Sequence, residues 1–67
     1  MNNEIGSKLK QLRVNKLMSL VDLSKQINLN KNSISLLERG CTHPKWVTLQ
    51  KYKRFFGKDF DEARINK

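Results

Sequence analysis

The apolar residues of this chain recur every three or four positions and never form an uninterrupted run of more than two. Ile5, Leu9 and Leu12 show this spacing, which places their side chains on one face of a helix. Each such segment is short and ends at a capping or turn residue. Because nothing alternates with a period of two and no hairpin dipeptide occurs, the pattern predicts an all-α domain of about five short helices. Apolar runs this short also exclude a membrane-spanning segment.

The first two helices have recognisable ends. The spacing predicts the first helix from about Asn3 to Lys16. The residues from Ser19 to Asp22 have the form Ser-x-x-acid, which is a capping box and makes Ser19 the N-cap of the second helix. Asn28 is expected to end that helix, because asparagine tolerates the left-handed backbone conformation found at helix ends.

The third helix is predicted over Lys31–Arg39, with Asn30 as its N-cap and Gly40 as its C-terminal stop. Ile34 and Leu37 form its apolar pair. Two short helices joined by a tight turn make the helix-turn-helix arrangement. The sequence therefore places such a motif at the centre of the chain.

The end of the chain is predicted to form two further helices. Pro44 lies in a loop, because proline lacks a backbone donor and biases the preceding residue to an extended conformation. The fourth helix is expected to begin at Trp46 or Val47 and to end at Phe56, with Gly57 as its stop. Asp59 is the expected cap of a last short turn that holds Phe60 and Ala63.

Length and charge limit the function. The chain has 67 residues, which allows a single domain over 1–67 with a core of about residues 4–64. Fourteen Lys and Arg against six Asp and Glu give a net charge of +8. Residues 58–67 hold three basic and three acidic side chains, so the whole excess falls on residues 1–57. A domain this basic indicates a polyanionic partner, with nucleic acid as the first choice and an anionic membrane surface as the second.

Enzymatic and metal sites are not expected. The chain has one cysteine, Cys41, and one histidine, His43, which exclude an internal disulfide and a zinc site built from Cys and His. A Cys–His catalytic pair would need a substrate pocket, for which so short a chain has little room. We therefore expect a cytoplasmic, non-enzymatic protein with no cofactor, no metal and no small-molecule ligand.

From Ile5 to about Ala63 the sequence resembles the Xre-type (Cro and CI repressor-like) helix-turn-helix family of bacterial and phage regulators. The resemblance implies a lambda-repressor-like domain. Its most specific part is the Ile-Ser-x-x-Glu-Arg-Gly run before a loop proline. The stretches that carry it are Ile5-Gly6, Leu12-Arg13, Ile34-Ser35-Leu36-Leu37-Glu38-Arg39-Gly40, Pro44, Thr48-Leu49 and Phe56-Gly57.

The resemblance also implies roles for individual residues. The third helix would enter the major groove, where Asn32 suits the N6/N7 edge of adenine and Lys31 suits guanine or a phosphate. Ser19 would present backbone N–H groups to a phosphate. In this family the pair matching Arg13 and Glu38 forms a salt bridge between the first helix and the recognition helix. The residues implied at the DNA are Arg13, Ser19, Leu20, Lys31, Asn32, Ser33, Ser35, Leu36, Thr42 and Lys45.

Three leucines are among the departures from the family pattern, as are Ser24 in place of the usual alanine and Asn28 in place of the usual turn glycine. Leu20 stands where the family commonly has glutamine, Leu36 where relatives are often polar or basic, and Leu17 where glycine often ends the first helix. Apolar side chains on a DNA-facing surface would meet thymine methyl groups or another protein. Two hypotheses therefore stay open: reading of DNA, and a protein-interaction module of anti-repressor or antitoxin-like type that reuses the same face.

The first hypothesis makes the protein a dimeric repressor of phage, plasmid or mobile-element type. A dimer would place two recognition helices in successive major grooves of a palindromic operator and occlude a promoter. Trp46 and Phe60 are the predicted contacts between the two copies of the homodimer.

Overall fold

The computed structural model describes residues 4–65, and these form five helices without a strand. The predicted all-α domain of five short helices is confirmed. The predicted start of the first helix at Asn3 lies outside the described residues. No helix among residues 4–65 is long and apolar enough to cross a membrane. The helices are α1 (Glu4–Asn15), α2 (Leu20–Ile27), α3 (Lys31–Glu38), α4 (Trp46–Phe56) and α5 (Lys58–Ala63).

One hydrophobic core joins the five helices. Leu9, Leu23, Ile34 and Tyr52 are fully buried and come from α1, α2, α3 and α4. Helix α3 packs against α1 and α2, and α4 packs against α2 and α5. Ile65, one residue beyond the predicted core limit, is also buried. The other buried apolar residues are Leu12, Ile27, Leu37, Phe56 and Phe60.

Helix α1 meets the end of α3 at Gly6. A Cβ atom at this position would lie 2.5 Å from the carbonyl oxygen of Leu37 and 2.8 Å from that of Glu38. Both oxygens belong to the backbone, which cannot swing aside as a flexible side chain can. The close packing of α1 on α3 therefore requires glycine at position 6.

Capping defines both ends of α2 and the beginning of α3. The Ser19 hydroxyl accepts the Asp22 N–H at 3.0 Å, and the Asp22 carboxylate accepts the Ser19 N–H at 3.1 Å, which is the predicted capping box. Asn28 ends α2 in the left-handed conformation, with φ 57° and ψ 50°. Asn30 begins α3, and its side-chain oxygen accepts the Asn32 N–H at 2.7 Å. The predicted caps at both ends of α2 and at the beginning of α3 are confirmed.

Helix α3 ends in a Schellman motif. Gly40 has a φ of 76°, and its N–H donates to the Leu37 carbonyl oxygen at 3.1 Å. The Cys41 N–H reaches back to the Leu36 carbonyl oxygen at 3.0 Å. Arg39 is the C-cap, so the helix itself ends at Glu38, one residue before the predicted end.

The predicted cap of the last helix needs correction. Gly57, with φ 59° and ψ −120°, both ends α4 and precedes α5 as its N-cap. Its carbonyl oxygen accepts the N–H groups of Phe60 and Asp61 at 3.0 and 3.3 Å. Asp59 is therefore not the cap, and it lies inside the first turn of α5. The positive φ of Gly57 turns the chain sharply, so that the helix begins directly after it at Lys58.

Candidate DNA-binding surface

The first turn of α3 is open to solvent while its opposite side is buried. Lys31, Asn32 and Ser33 are exposed, whereas Ile34 and Leu37 belong to the core. The three polar side chains are therefore available for contacts outside the molecule. Helix α3 also presents its N-terminal end, where backbone N–H groups lack partners within the helix. This arrangement matches what a recognition helix needs in order to insert its first turn into a groove.

The second turn of α3 continues this surface in part. Ser35 is half-buried, and its hydroxyl accepts a hydrogen bond from Nη1 of Arg39 at 3.4 Å. Leu36 is 40% exposed. Arg39 is itself exposed, so an additional guanidinium stands next to the predicted DNA-facing serine. Sequence reasoning missed Arg39 as a surface cation, although its spacing of four residues from Ser35 was a usable signal.

The N-terminus of α2 contributes Ser19 and Leu20. The hydroxyl and N–H of Ser19 are both engaged in the capping box, so Ser19 itself offers less to a phosphate than the sequence implied. The Ser19 hydrogen bonds also lower the pKa of the Asp22 carboxyl. Leu20 is half-buried and packs against the core. Its apolar character is therefore explained largely by packing.

Arg13 and Glu38 form the ion pair that the resemblance implied. Nε and Nη2 of Arg13 donate to the two carboxylate oxygens of Glu38 at 2.8 and 3.0 Å, and Nη1 donates to the Met18 carbonyl oxygen at 2.8 Å. The side chains are only 13% and 5% exposed. The hydrogen bond to Glu38 raises the pKa of Arg13 against the opposing effect of burial. Arg13 thus acts mainly within the fold, and little of its guanidinium is left for a phosphate.

Tyr52 of α4 lies close enough to this pair for both charges to act on its hydroxyl. It is fully buried, and its hydroxyl oxygen has no hydrogen-bond partner. Burial and the negative charge of Glu38 both raise the pKa of the Tyr52 hydroxyl. The tyrosine is therefore neutral in the folded protein.

The α3–α4 loop places further polar groups after the recognition helix. Thr42 and Lys45 are exposed, so the Lys45 ammonium is accessible to a ligand. Cys41 and His43 are exposed as well. Among the described residues no group of three His, Cys, Asp or Glu side chains could hold a metal ion.

The two predicted dimer contacts have different environments. Trp46 is 70% exposed, and its neighbour Val47 is 61% exposed. Phe60, in contrast, is only 2% exposed and packs in the core, where a second copy could not contact it. We therefore remove Phe60 from the candidate interface and add Val47, which sequence reasoning had not considered. A small cleft of about 130 Å³ lies next to Trp46 and is lined by Leu49, Gln50, Lys53 and Phe60.

A scan against protein families returned one whose description is helix-turn-helix, and it matches residues 9–62. This range contains α2, α3 and α4 in full, with the capped turn and the Arg13–Glu38 pair. The chain belongs to the Xre-type helix-turn-helix family. No curated protein and no solved structure matches the chain.

Membership of the Xre-type family makes the chain a DNA-binding helix-turn-helix regulator. The family is one of DNA-binding domains and not of enzymes. At the beginning of α3 the structure exposes Lys31, Asn32 and Ser33, three of the polar residues predicted for contact with DNA. Leu20 and Arg13 are less available to DNA than predicted, because Leu20 packs against the core and Arg13 is paired with Glu38.

Proposed function

We propose that this Xre-type protein is a sequence-specific repressor that binds a palindromic operator as a homodimer and occludes a promoter. The observation that carries the proposal is the exposed first turn of α3, on a chain with a net charge of +8. Lys31 and Asn32 have the chemistry to read base edges, and Asn32 suits adenine. Lys45 and Thr42 would hold the phosphates next to the recognition helix.

A dimer is part of the proposal because one such domain contacts few bases. Two half-sites about 34 Å apart would raise the affinity through the effective concentration of the second helix. The exposed side chains of Trp46 and Val47 offer an apolar contact next to α5. In this region the ammonium of Lys53 is balanced by the carboxylate of Asp61, at 3.4 Å. A chain of +8 approaches its own copy most easily at such a neutral region.

The setting follows from the family resemblance. We propose a bacterial or phage cytoplasm, and a phage, plasmid or mobile element as the source of the gene. The operator would lie immediately upstream of that gene. Control would then come from protein concentration or from a competing regulator of the same DNA.

The deciding experiment is a titration against labelled DNA from upstream of the gene and against a scrambled duplex, at about 50 and 200 mM salt. We expect a preference of about a thousandfold for the upstream duplex at the higher salt. The double variant Lys31→Ala/Asn32→Ala should abolish that preference. A control that removes the same charge far from α3, Lys58→Ala/Asn15→Ala, should keep it.

A second candidate function rests on the exposed Leu36. An anti-repressor or antitoxin-like partner could bind this face in place of DNA. In that case Leu36→Ala would remove the activity and Lys31→Ala/Asn32→Ala would leave it intact. This alternative was suggested by two leucines, Leu20 and Leu36. It is weakened because Leu20 is half-buried and packs against the core, which leaves Leu36 as its main support.

A further inference from the structure

Three aliphatic side chains around the α1–α2 turn are open to solvent. Val14 is 43% exposed, Leu17 92% and Val21 44%. They lie at the end of α1, in the turn and in the first turn of α2. We call them the α1–α2 apolar patch. The other strongly exposed apolar side chains, Leu36, Trp46 and Val47, belong to the surfaces already considered.

Leu17 is the unusual member of the patch. Its φ of 58° lies in the left-handed region, which a branched residue disfavours and which glycine adopts without cost. The side chain points almost entirely into solvent, so packing does not compensate for this backbone conformation. Leucine at this position is unfavourable for the left-handed backbone conformation and exposes an apolar side chain to water. Such a residue indicates a contact with another molecule.

The charges around the patch are mostly positive. Lys10 precedes Val14 by one helical turn, Lys25 follows Val21 by one turn, and both are exposed. Lys16 is exposed too, with its ammonium 5.8 Å from the centre of the Phe55 ring. The carboxylate at this end of α2 belongs to Asp22, which already accepts the Ser19 N–H.

These positive charges indicate which kind of partner can bind the α1–α2 apolar patch. A second copy of the chain would bring the same lysines against these, whereas the Trp46 region lies beside the charge-balanced α5. Three side chains also cover far less than the roughly 800 Å² per partner of a stable interface. The patch therefore suits a weak contact with a negatively charged surface, made when the partner is already held nearby.

We propose that the α1–α2 apolar patch binds an acidic segment of a partner protein, with aliphatic side chains of the segment against Val14, Leu17 and Val21. Carboxylates of the segment pair with Lys10 and Lys25. This contact goes beyond the proposed function, because it does not require DNA or the first turn of α3.

The test is an NMR titration of the isotope-labelled full chain with a synthetic amphipathic peptide of leucine and glutamate. A peptide with lysine in place of every glutamate serves as the matched probe. We expect saturable shifts confined to residues around positions 14–21, with a Kd below about 1 mM, for the acidic peptide alone. Leu17→Gly should weaken binding about tenfold or more while keeping the fold, because glycine suits a φ of 58°. Asn28→Gly places glycine at another left-handed position, with a φ of 57°, and should leave the affinity unchanged.

Equal affinity of the Leu17→Gly variant, equal binding of both peptides, or shifts centred on another surface would each overturn the proposal. The same variant is also titrated with the upstream DNA, where it should bind as the parent protein does. A tenfold loss there would assign Leu17 to the DNA contact and likewise refute a protein-binding patch. If the parent protein shows no specific DNA binding, the repressor proposal fails while the peptide result stands by itself.

Discussion

Arg13 holds the carboxylate of Glu38 by two parallel hydrogen bonds, at 2.8 and 3.0 Å, across the contact between α1 and α3. Because Glu38 is the last residue of α3, this pair fixes the orientation of α3 relative to α1. A third donor of the same guanidinium binds the carbonyl oxygen of Met18, in the turn before α2. One side chain of α1 therefore connects this helix to α3 and to the turn before α2.

Removal of Glu38 should be costly because it leaves a largely buried cation without its partner. We expect Glu38→Ala to lower the free energy of unfolding by about 3 kcal/mol, measured by urea denaturation. In the double variant Arg13→Ala/Glu38→Ala the loss should be smaller than the sum of the two single losses. Strictly additive losses would show that the pair does not couple α1 to α3.

Gly6→Ala should destabilise the protein although alanine favours helices. The added Cβ would lie 2.5 Å from the Leu37 carbonyl oxygen, so α1 and α3 must move apart. We expect a net loss of about 1–3 kcal/mol in the free energy of unfolding, because the steric clash costs more than the gain of about 1 kcal/mol in helix propensity. Ser7→Ala, at an exposed position of the same helix, is the control and should be neutral or slightly stabilising. An unchanged midpoint for Gly6→Ala would contradict the close packing.

Leu17→Gly should stabilise the protein by relieving the left-handed conformation at this residue. The expected gain is about 1 kcal/mol, after allowance for the greater freedom of glycine in the unfolded chain. For a domain of this size such a gain raises the melting temperature by about 4–8 °C. Asn28→Gly is the comparison, because asparagine already tolerates the left-handed region and its replacement should change the stability less. A lower melting temperature for Leu17→Gly would refute this account.

Tyr52 should make the protein sensitive to alkali. Its pKa is raised in the folded state by burial and by Glu38, while in the unfolded chain the hydroxyl loses its proton near pH 10. Above about pH 10 the unfolded state therefore binds fewer protons than the folded state, and stability falls as the pH rises. Below that pH the residue has no such effect.

The measurement is the free energy of unfolding between pH 8 and 12 for the parent protein and for Tyr52→Phe. We expect the variant to lose less stability over this range. Near neutral pH it should be at least as stable as the parent, because the hydroxyl that it lacks has no partner. A parallel pH dependence of the two proteins would contradict this role of Tyr52.

The helix ends could be predicted from the sequence because their causes lie within a few residues. Ser19, Asn30 and Asn28 act on backbone groups two to four positions away, and all three do so in the structure. Gly40 and Gly57 end their helices for the same local reason, since each has a positive φ.

Exposure was harder to predict because it depends on how helices from distant parts of the chain pack together. Phe60 looked available as a contact but lies in the core, and Leu20 looked like a groove residue but packs partly against the core. Asp59 looked like a cap until the conformation of Gly57 showed where α5 begins. The partnerless hydroxyl of Tyr52 has no local signature at all, since it results from helices meeting around the Arg13–Glu38 pair.

Helix α3 has one side that packs into the core and another that faces solvent. Ile34 and Leu37 attach it to the core, while Lys31, Asn32 and Ser33 make no contribution to that core. Mutations at the three outward positions are therefore nearly neutral for folding, as surface substitutions generally are. If these positions contact DNA as proposed, their substitution can change the binding preference without first requiring spare stability, so that preference can evolve faster than the scaffold.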